Sequence, residues 1–355
     1  MELKKLYKDV LGSVGGHHIN PRMLYRIFTE PQIGRLFHFL KTEVFFGRVV
    51  NAVKRQQQSF FLPKSIVIEP TYQCNLECTQ CYAPKKDLTM TSEFFESIIV
   101  QAEKMGIYRF VLMGGEPTLE KARNAVLPTI RAHKNSSFLF CTNATRIDDS
   151  LIRDFQSVKN ANFIISTEGS ESYTDARRGP GTYARIMDGM ERLKQANIGF
   201  ATSVTMNAAT WEDQIPEDYF KSYARSGGIV VYTYFIFDPK EQKHEEIDKI
   251  KYFKHLDSIV RKYGIYIGDG EYGKILPGKI VPRSNNQVVI DPQGAVRPHR
   301  FMPEPVFGSL ADERLQDILK KPELIEFKKQ SKLEALESFS DVQMEMKRLK
   351  IELIV

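Results

Sequence analysis

The sequence is poor in cysteine and tryptophan and has no long apolar segment. It contains four cysteines and one tryptophan in 355 residues, too few cysteines for a disulfide framework. No apolar run approaches the roughly 18 residues that a membrane-spanning helix requires. The first sixteen residues are interrupted by charge and glycine and lack the apolar segment of a signal peptide. We therefore expect a cytoplasmic protein whose thiols stay reduced.

The excess of positive charge lies at one end of the chain. The formal net charge is +6, and residues 1–60 contain ten Lys or Arg and four Asp or Glu. The remainder contains forty basic (50 − 10) and forty acidic (44 − 4) residues. With 42% hydrophobic and 26% charged residues, the composition is that of a globular protein. These numbers predict a neutral globular body with a basic N-terminal arm.

The second half of this arm has the pattern of a helix. Residues 32–58 are rich in aromatic side chains, and Leu36, Leu40 and Val44 recur on one helical face. A helix with basic residues around an aromatic face can lie on an anionic membrane surface, which predicts peripheral membrane contact through residues 32–58. The alternative is that the arm packs on the body. No RNA-binding module is visible and the body is neutral, so we do not expect a nucleic-acid partner.

From Ser65 onward, short β-type runs alternate with helical segments. The pattern predicts six β units joined by helices, which favours parallel strands in a βα-repeat domain. In such folds, chemistry collects in the loops after the carboxyl ends of the strands. The expected strands are residues 65–69, 108–113, 137–142, 162–167, 200–206 and 229–237. The expected helices are residues 92–105, 121–133, 150–157, 183–196, 216–226 and 240–263.

Changes in composition divide the chain into three expected parts. Residues 1–62 form the basic helical arm, and residues 63–264 form the βα-repeat body. Residues 265–355 form a small α+β extension, in which glycine- and proline-rich β runs precede a charged helical tail. The last segment, residues 344–355, has the pattern of a docking or frayed helix.

The candidate site begins directly after the first strand. Cys74, Cys78 and Cys81 are separated by three and two residues, so their thiolates can converge on one metal site. Structural zinc sites commonly take four ligands built from Cys-x-x-Cys pairs, and the chain has no second pair. A cubane iron–sulfur cluster normally takes four cysteine thiolates. Three ligands would leave one iron open to a substrate or cofactor.

Further motifs end or follow the next strands. Glycines let the backbone approach a ligand closely, and a glutamate can accept from an ammonium group. The segment at the end of the third strand contains an asparagine. The segment at the end of the fourth strand contains an acidic residue, and two arginines follow it. The segments are Gly114-Gly115-Glu116-Pro117, Cys141-Thr142-Asn143, Ser166-Thr167-Glu168-Gly169 and Arg177-Arg178-Gly179, with Ser203 on the fifth strand.

Together these segments resemble the radical S-adenosylmethionine (radical SAM) superfamily over roughly residues 65–240. The resemblance implies an α/β fold, a partial (β/α)6 TIM-like barrel, with a [4Fe–4S] cluster on the three clustered cysteines. S-adenosylmethionine (SAM) would bind the fourth iron and be cleaved to a 5′-deoxyadenosyl radical, which abstracts hydrogen from an unactivated carbon. A reducing partner such as flavodoxin or ferredoxin is implied. The implied SAM contacts are Gly114, Gly115, Glu116, Pro117, Asn143, Ser166, Glu168, Arg178 and Ser203.

The chain departs from the family pattern at three positions. Gln80 stands before the third cysteine, where an aromatic residue is usual, and Ala144 replaces a glycine. Glu168 stands where relatives carry Asp, which alters the contact near the ribose of SAM. Cys141 resembles the non-cluster cysteine with which some relatives return a hydrogen atom to the substrate. The alternative is that Cys141 is a small buried residue.

The C-terminal part resembles the SPASM or twitch extension of the same superfamily, over residues 290–299 and 307–311. Those extensions carry cysteines for auxiliary clusters, often after a proline, whereas this chain has Pro298-His299 and no cysteine after Cys141. The resemblance therefore implies a cysteine-free extension that acts as a lid or substrate wall. We expect a small-molecule or lipid-like substrate. The alternatives are a peptide-modifying enzyme and a non-catalytic metal-binding or scaffold protein.

Overall fold

The computed structural model describes five long stretches of the chain, residues 60–225, 230–235, 247–269, 286–299 and 304–337. It also describes residues 46, 50–57, 237–238, 243–244, 273–276, 279–282, 302, 346, 348 and 352–353. Most of the predicted arm helix lies outside the described residues, and its described end is helical, as α1 (Asn51–Gln57). None of the described helices combines the length and the hydropathy needed to span a bilayer.

Strands and helices alternate along the body, as predicted. The strands are β1 (Ser65–Thr71), β2 (Arg109–Gly114), β3 (Ser137–Thr142), β4 (Ala161–Thr167), β5 (Phe200–Met206) and β6 (Val230–Phe235). The helices between them are α2 (Ser92–Lys104), α3 (Glu120–Ala132), α4 (Asp149–Gln156), α5 (Glu171–Arg178), α6 (Thr182–Gln195), α7 (Trp211–Gln214) and α8 (Glu217–Arg225). Of these, the short helices α5 and α7 were not predicted.

The helix limits follow from capping chemistry. At the start of α2, the hydroxyl of Thr91 accepts a hydrogen bond from the backbone N–H of Phe94 at 3.2 Å. The helix ends at Lys104, Met105 is its C-cap, and Gly106 follows with φ +89°, the left-handed conformation that stops a helix. Both limits agree with the sequence prediction.

The second half of the chain begins with a hairpin and a helix. The elements are β7 (Phe237–Asp238), β8 (Lys243–His244), α9 (Lys249–Tyr263), β9 (Tyr266–Asp269), β10 (Gly273–Leu276), β11 (Lys279–Pro282), β12 (Gln287–Ile290), β13 (Ala295–Arg297), β14 (Gly308–Ser309), α10 (Leu315–Leu319), α11 (Pro322–Glu337) and β15 (Glu352–Leu353).

Two helix predictions for this half were confirmed only in part. The helix expected from residue 240 begins only at Lys249, because β8 pairs with β7 and Asp248 then caps the helix through the N–H of Lys251 at 2.9 Å. Within the helix expected over residues 344–355, the described residues Met346 and Arg348 are helical, whereas Glu352–Leu353 form a strand. This strand pairs with β11 and so satisfies backbone groups at the edge of the sheet.

One sheet organises the described fold. Its thirteen strands run in the order β14-β13-β12-β1-β2-β3-β4-β5-β6-β9-β10-β11-β15. The strands from β12 to β9 are parallel. Helices cover the outer face of these strands, which is the predicted partial TIM-like barrel.

The two faces of the parallel strands differ in character. On β1, Ile66 and Ile68 pack into the outer core beneath the helices. Val67 lies between them and faces the inside, because side chains alternate along a strand. There it packs with Met113 and Val289.

The C-terminal strands prolong both edges of the parallel sheet. On one side β12 pairs with β1, with Gln287 opposite Ser65. On the other side β9 pairs with β6, with Tyr266 opposite Val230. The inner face next to β1 is therefore bordered by strands from the second half of the chain.

Candidate active site

The three clustered cysteines lie in the loop that connects β1 with α2, at the carboxyl edge of the sheet. Cys74 and Cys78 are half-buried, Cys81 is exposed, and all three are free thiols. Cys74 and Cys78 are both within electrostatic reach of Cys81. In the part of the chain that the structure describes, no three His, Cys, Asp or Glu side chains stand close enough together to hold one metal ion. A cubane cluster does not need that convergence, because each thiolate binds a different iron.

Burial and nearby charge act in opposite directions on these thiols. Burial raises the pKa of Cys74 to about 11. Burial also raises the pKa of Cys78, although the guanidinium groups of Arg178 and Arg177 favour its thiolate. Metal coordination requires the thiolate form, so the two arginines favour coordination by Cys78.

The Gly114-Gly115 turn at the end of β2 packs against the cysteine loop. The N–H of Gly115 donates to the carbonyl of Thr71 at 2.8 Å, and the N–H of Glu116 donates to the carbonyl of Gln73 at 2.7 Å. A Cβ atom on Gly115 would lie 2.0 Å from the Gln73 carbonyl oxygen, so only glycine fits. The sequence-predicted turn and the cysteine loop are therefore brought together, and the buried Pro117 directly follows them.

The carboxylate of Glu116 is wholly engaged with the protein. Glu116 is 1% exposed, and its Oε1 accepts from the hydroxyls of Thr118 and Thr142 at 2.5 and 2.7 Å. Its Oε2 accepts from the N–H of Asn143 at 2.7 Å. Burial raises the pKa of Glu116, and these hydrogen bonds oppose that rise. The carboxylate thus joins the turn after β2 to the end of β3.

Asn143 connects the end of β3 with the cysteine loop. Its side-chain amide donates to Asn75 Oδ1 at 3.0 Å and lies 3.9 Å from the Cys74 sulfur. Its Oδ1 accepts from the N–H and the hydroxyl of Thr145, at 3.0 and 2.7 Å. Asn143 is buried, so this network holds its side chain beside the first cluster cysteine.

Glu168 forms a buried clamp with two arginines. Its side chain is 1% exposed and accepts a bidentate pair of bonds from Arg178, through Nε at 2.5 Å and Nη2 at 2.9 Å. Arg177 Nη1 donates to the same carboxylate at 2.6 Å. The backbone carbonyl of Arg177 also accepts from the N–H of Thr79 at 3.0 Å, inside the cysteine loop. The clamp therefore fixes α5 against that loop.

The pairing partner of Arg178 bears on its predicted contact with SAM. Burial is the largest influence and disfavours the charged guanidinium, but the charge and hydrogen bonds of Glu168, together with Cys78 and Cys81, raise the pKa of Arg178. Because Glu168 takes Nε and Nη2, the guanidinium is committed to a protein carboxylate and acts on Cys78 and Cys81 through its charge.

Three other predicted residues line the inner face. Cys141 is half-buried against Val67, Met113 and Val289. Its register partner on β4 is Ile164, so Ser166, two residues further, faces the same way. Ser203 pairs with Ser166 in register. Cys141, Ser166 and Ser203 therefore share the inner face of neighbouring strands.

Sequence reasoning missed a second polar group on the inner face, which we call the Glu69 cluster. It comprises Glu69, Tyr72, Asp291 and Arg297. Tyr72 OH donates to Glu69 Oε2 at 3.1 Å, and Arg297 Nη2 donates to the same oxygen. Tyr72 OH also lies 3.4 Å from Asp291 Oδ2. The available signal was a glutamate inside the apolar run of β1.

The fold and the site define a partial α/β barrel with a three-cysteine loop at the carboxyl edge of its sheet. Residues 68–215 match the sequence model of the radical SAM superfamily. Over these residues, which include the three-cysteine loop and the turn that ends β2, the chain matches the radical SAM superfamily, as the sequence analysis expected. Enzymes of this superfamily use a [4Fe–4S] cluster together with SAM.

Individual relatives are distant. The chain is 26% identical over 156 residues to the Fe-coproporphyrin III synthase of Methanosarcina barkeri, covering 42% of this chain and 38% of the relative. It is 24% identical over 177 residues to the sporulation killing factor maturation protein SkfB of Bacillus subtilis, covering 48% and 42%. The matched segment thus spans less than half the length of either relative.

A solved structure of anSMEcpe with bound AdoMet has a similar fold. It superposes with a TM-score of 0.61 at 19% sequence identity, and the match covers 74% of this chain and 83% of that chain. This likeness supports the fold alone.

Proposed function

We propose that this protein is a radical SAM enzyme that abstracts hydrogen from an unactivated carbon of a small-molecule or lipid-like substrate. Cys74, Cys78 and Cys81 would hold its [4Fe–4S] cluster. When bound, the cluster supplies the electron that cleaves SAM to methionine and a 5′-deoxyadenosyl radical. The protein binds and orients the reactants and keeps water away from them.

The observation that carries this proposal is the packing of the cysteine loop. The Gly115 turn, the Asn143 side chain and the α5 end each contact that loop from a different strand connection. The three free thiols therefore sit on a loop that is held from three sides at the carboxyl edge of the barrel. The buried Arg178 and the half-buried Arg177 add positive charge that suits thiolate ligands.

We assign the predicted SAM contacts two kinds of role. Gly114, Gly115 and Pro117 shape a turn along which the amino-acid part of SAM would lie. Asn143, Ser166 and Ser203 offer polar side chains toward the pocket. Glu116, Glu168 and Arg178 are positioning residues in this proposal, because their polar atoms bind other protein groups. Cys141 stays a candidate for returning hydrogen to the substrate.

The substrate class has one alternative. A peptide-modifying reaction is favoured by the similarity to SkfB, whose name describes the maturation of a sporulation killing factor. The small-molecule substrate proposed above is favoured by the similarity to Fe-coproporphyrin III synthase. A non-catalytic metal-binding or scaffold protein is the remaining alternative.

Anaerobic reconstitution tests the proposal directly. We expect about four irons per chain, and 5′-deoxyadenosine on addition of reductant and SAM. A flavodoxin or ferredoxin should replace the chemical reductant. Binding of zinc without SAM cleavage would instead establish the non-catalytic alternative.

Peripheral membrane contact through residues 32–58 is a separate hypothesis. Its support is the basic, aromatic composition of that segment. Flotation with anionic liposomes should recover the full chain and leave a chain that starts at Ser59 in the soluble fraction. Equal, poor flotation of both would remove the hypothesis.

A further inference from the structure

The Glu69 cluster faces the interior of the barrel. Arg297 pairs directly opposite Val289 in the antiparallel pair of β12 and β13, and such partners point to the same face. Val289 packs with Val67 and Met113 on the inner face. Arg297 therefore points inward, and its contact with Glu69 places that carboxylate inside as well.

The cluster also lies at the reactive end of the barrel. Asp291 directly follows β12, and Glu69 lies near the carboxyl end of β1. A Cβ atom on Gly114 would lie 3.1 Å from the Glu69 Cβ, so the cluster adjoins the turn assigned to SAM.

The polar atoms of the cluster are incompletely satisfied. Glu69 is fully buried, yet Glu69 Oε1 and Arg297 Nε have no hydrogen-bond partner among the described residues. Asp291 adds a second negative charge that acts on Glu69. Burial raises the pKa of Glu69 despite the opposing effect of Arg297. Compensation of this carboxylate by the protein is therefore only partial.

We propose that the Glu69 cluster binds an ammonium group of the substrate, with Glu69 Oε1 as the acceptor. The proposal rests on the proposed radical SAM function. Among the described residues the cluster contains two carboxylates and one guanidinium, and the Asp291 carboxylate accepts otherwise from the backbone N–H groups of Gln293 and Ala295. An ammonium would supply both a positive charge and N–H donors. The cluster would anchor the substrate by its amine while a carbon elsewhere in the molecule faces the radical.

The positions of Asp291 and Arg297 in the sequence indicate that the cluster binds an ammonium group of the substrate and not the ammonium group of SAM. Asp291 follows β12 and Arg297 ends β13, so both lie outside residues 68–215, the part that matches the superfamily. SAM binding is common to the superfamily, whereas the Glu69 cluster is completed by residues outside the matched part.

The first experiment identifies the chemical class of the hydrogen donor. Extract from cells of the source organism grown in deuterated medium is separated at pH 7 on a cation exchanger, and each fraction is given to the reconstituted enzyme with unlabelled SAM and reductant. We expect 5′-deoxyadenosine with deuterium in its 5′-methyl group and an unlabelled ribose only from the retained fraction; a deuterated ribose would mark product from SAM of the extract. Acetylation of its amines should abolish the transfer. Transfer from the unretained fraction alone, or transfer that survives acetylation, would overturn the proposal.

The second experiment assigns the role to Glu69. In Glu69→Gln, deuterium transfer should fall about tenfold or more, as for loss of a charged hydrogen bond. The SAM dissociation constant and substrate-independent SAM cleavage should be unchanged. The retained fraction should raise the melting temperature of the wild type and leave that of Glu69→Gln unchanged. Unchanged transfer would reduce the cluster to a structural ion pair, and weakened SAM binding would assign Oε1 to SAM; both contradict the proposal.

Two further variants keep the result interpretable. Asp154→Asn breaks an ion pair with Arg123 at 2.8 Å between α3 and α4, and it should leave deuterium transfer unchanged. If Glu69→Gln does not fold, Tyr72→Phe tests the same site, because it removes only the hydroxyl that donates to Glu69; wild-type transfer in this variant would count against the proposal. Failure of the wild type to form any 5′-deoxyadenosine would refute the radical SAM function itself, which separates the two failures.

Discussion

Two buried glutamates at the same edge of the sheet differ in how their charge is compensated. Glu168 accepts three hydrogen bonds from two arginines. Glu69 accepts from one arginine and one tyrosine through a single oxygen, and its other oxygen is unpaired among the described residues. Their exposed fractions are nearly equal, 1% and 0%, so burial alone does not distinguish them.

This difference distinguishes a glutamate that serves the structure from a glutamate that can bind a ligand. A buried charge is costly unless opposite charge and hydrogen bonds compensate it. Glu168 has that compensation inside the protein, and its arginines brace the cysteine loop. Glu69 is only partly compensated, which leaves a strong acceptor for a ligand.

The largest effect should come from the cysteine loop on the Glu168 side. Replacing Cys74, Cys78 and Cys81 together by Ala removes every thiolate of the proposed cluster, so bound iron and sulfide and SAM cleavage should be lost completely. Cys141→Ala should keep its iron and its SAM cleavage, because Cys141 lies on the inner face of β3. Iron and sulfide analysis after anaerobic reconstitution measures both. Full iron content in the triple variant would show that the cluster ligands lie elsewhere.

The two glutamates should differ in their effect on stability. Glu168→Gln leaves the buried Arg178 and the half-buried Arg177 without a counter-charge and should lower the free energy of unfolding by about 3–5 kcal/mol. Glu69→Gln should cost less, about 1–2 kcal/mol, because Asp291 keeps a negative charge in the cluster and the amide oxygen still accepts from Tyr72 and Arg297. Urea unfolding of the apoprotein measures both changes.

The control for this pair is an exposed ion pair. Glu217→Gln breaks the surface contact with Lys262 and should leave the urea midpoint unchanged. If Glu69→Gln proved as destabilising as Glu168→Gln, the charge of Glu69 would be as fully compensated as that of Glu168, and the comparison would fail.

The cysteine loop and the Glu69 cluster also differ in how well the sequence could predict them. The cysteine spacing and the Gly-Gly turn were visible because their residues are adjacent in the chain. The Glu69 cluster was not, since Glu69 and Arg297 are 228 positions apart and meet only because β12 inserts beside β1. The pairing of Glu168 with Arg178 was also missed, because α5 is a short helix without a clear periodic signal. Local alternation predicted the strands of the body, and long-range pairing decided which polar groups share the inner face.

The Gly114-Gly115 turn lies between the cysteine loop and the Glu69 cluster, and it offers a steric test. In Gly115→Ala the new methyl group would lie 2.0 Å from the carbonyl oxygen of Gln73, so the cysteine loop must move. We expect a loss of about 1–3 kcal/mol in the free energy of unfolding, as for other overpacked sites, together with reduced iron uptake. Gly181→Asn is the matched control. It places a side chain where no atom lies within 4 Å, and Asn tolerates the left-handed backbone there. Normal iron uptake in Gly115→Ala would mean that the turn does not support the loop.

The smallest effect concerns a buried group away from both glutamates. His255 on α9 packs against Trp211, with ring centroids 5.5 Å apart, and its Nε2 lies 2.9 Å from the Ile215 carbonyl oxygen. Burial lowers the pKa of His255, so the unfolded chain binds its proton more readily than the native protein does. This contribution to stability is therefore present above the unfolded value of about 6.5 and is lost as the pH falls through it.

The only tryptophan of the chain reports this titration. The urea midpoint, followed by Trp211 fluorescence, should fall between pH 7 and pH 5 in the wild type and fall less in His255→Gln. Ser258→Ala, which removes a hydroxyl that donates to the His255 carbonyl, should retain the wild-type slope. An equal slope in His255→Gln would attribute the acid sensitivity to other groups. In that case the same titration applied to Glu69→Gln would determine whether the partly compensated carboxylate contributes, with the opposite sign, because burial raises its pKa.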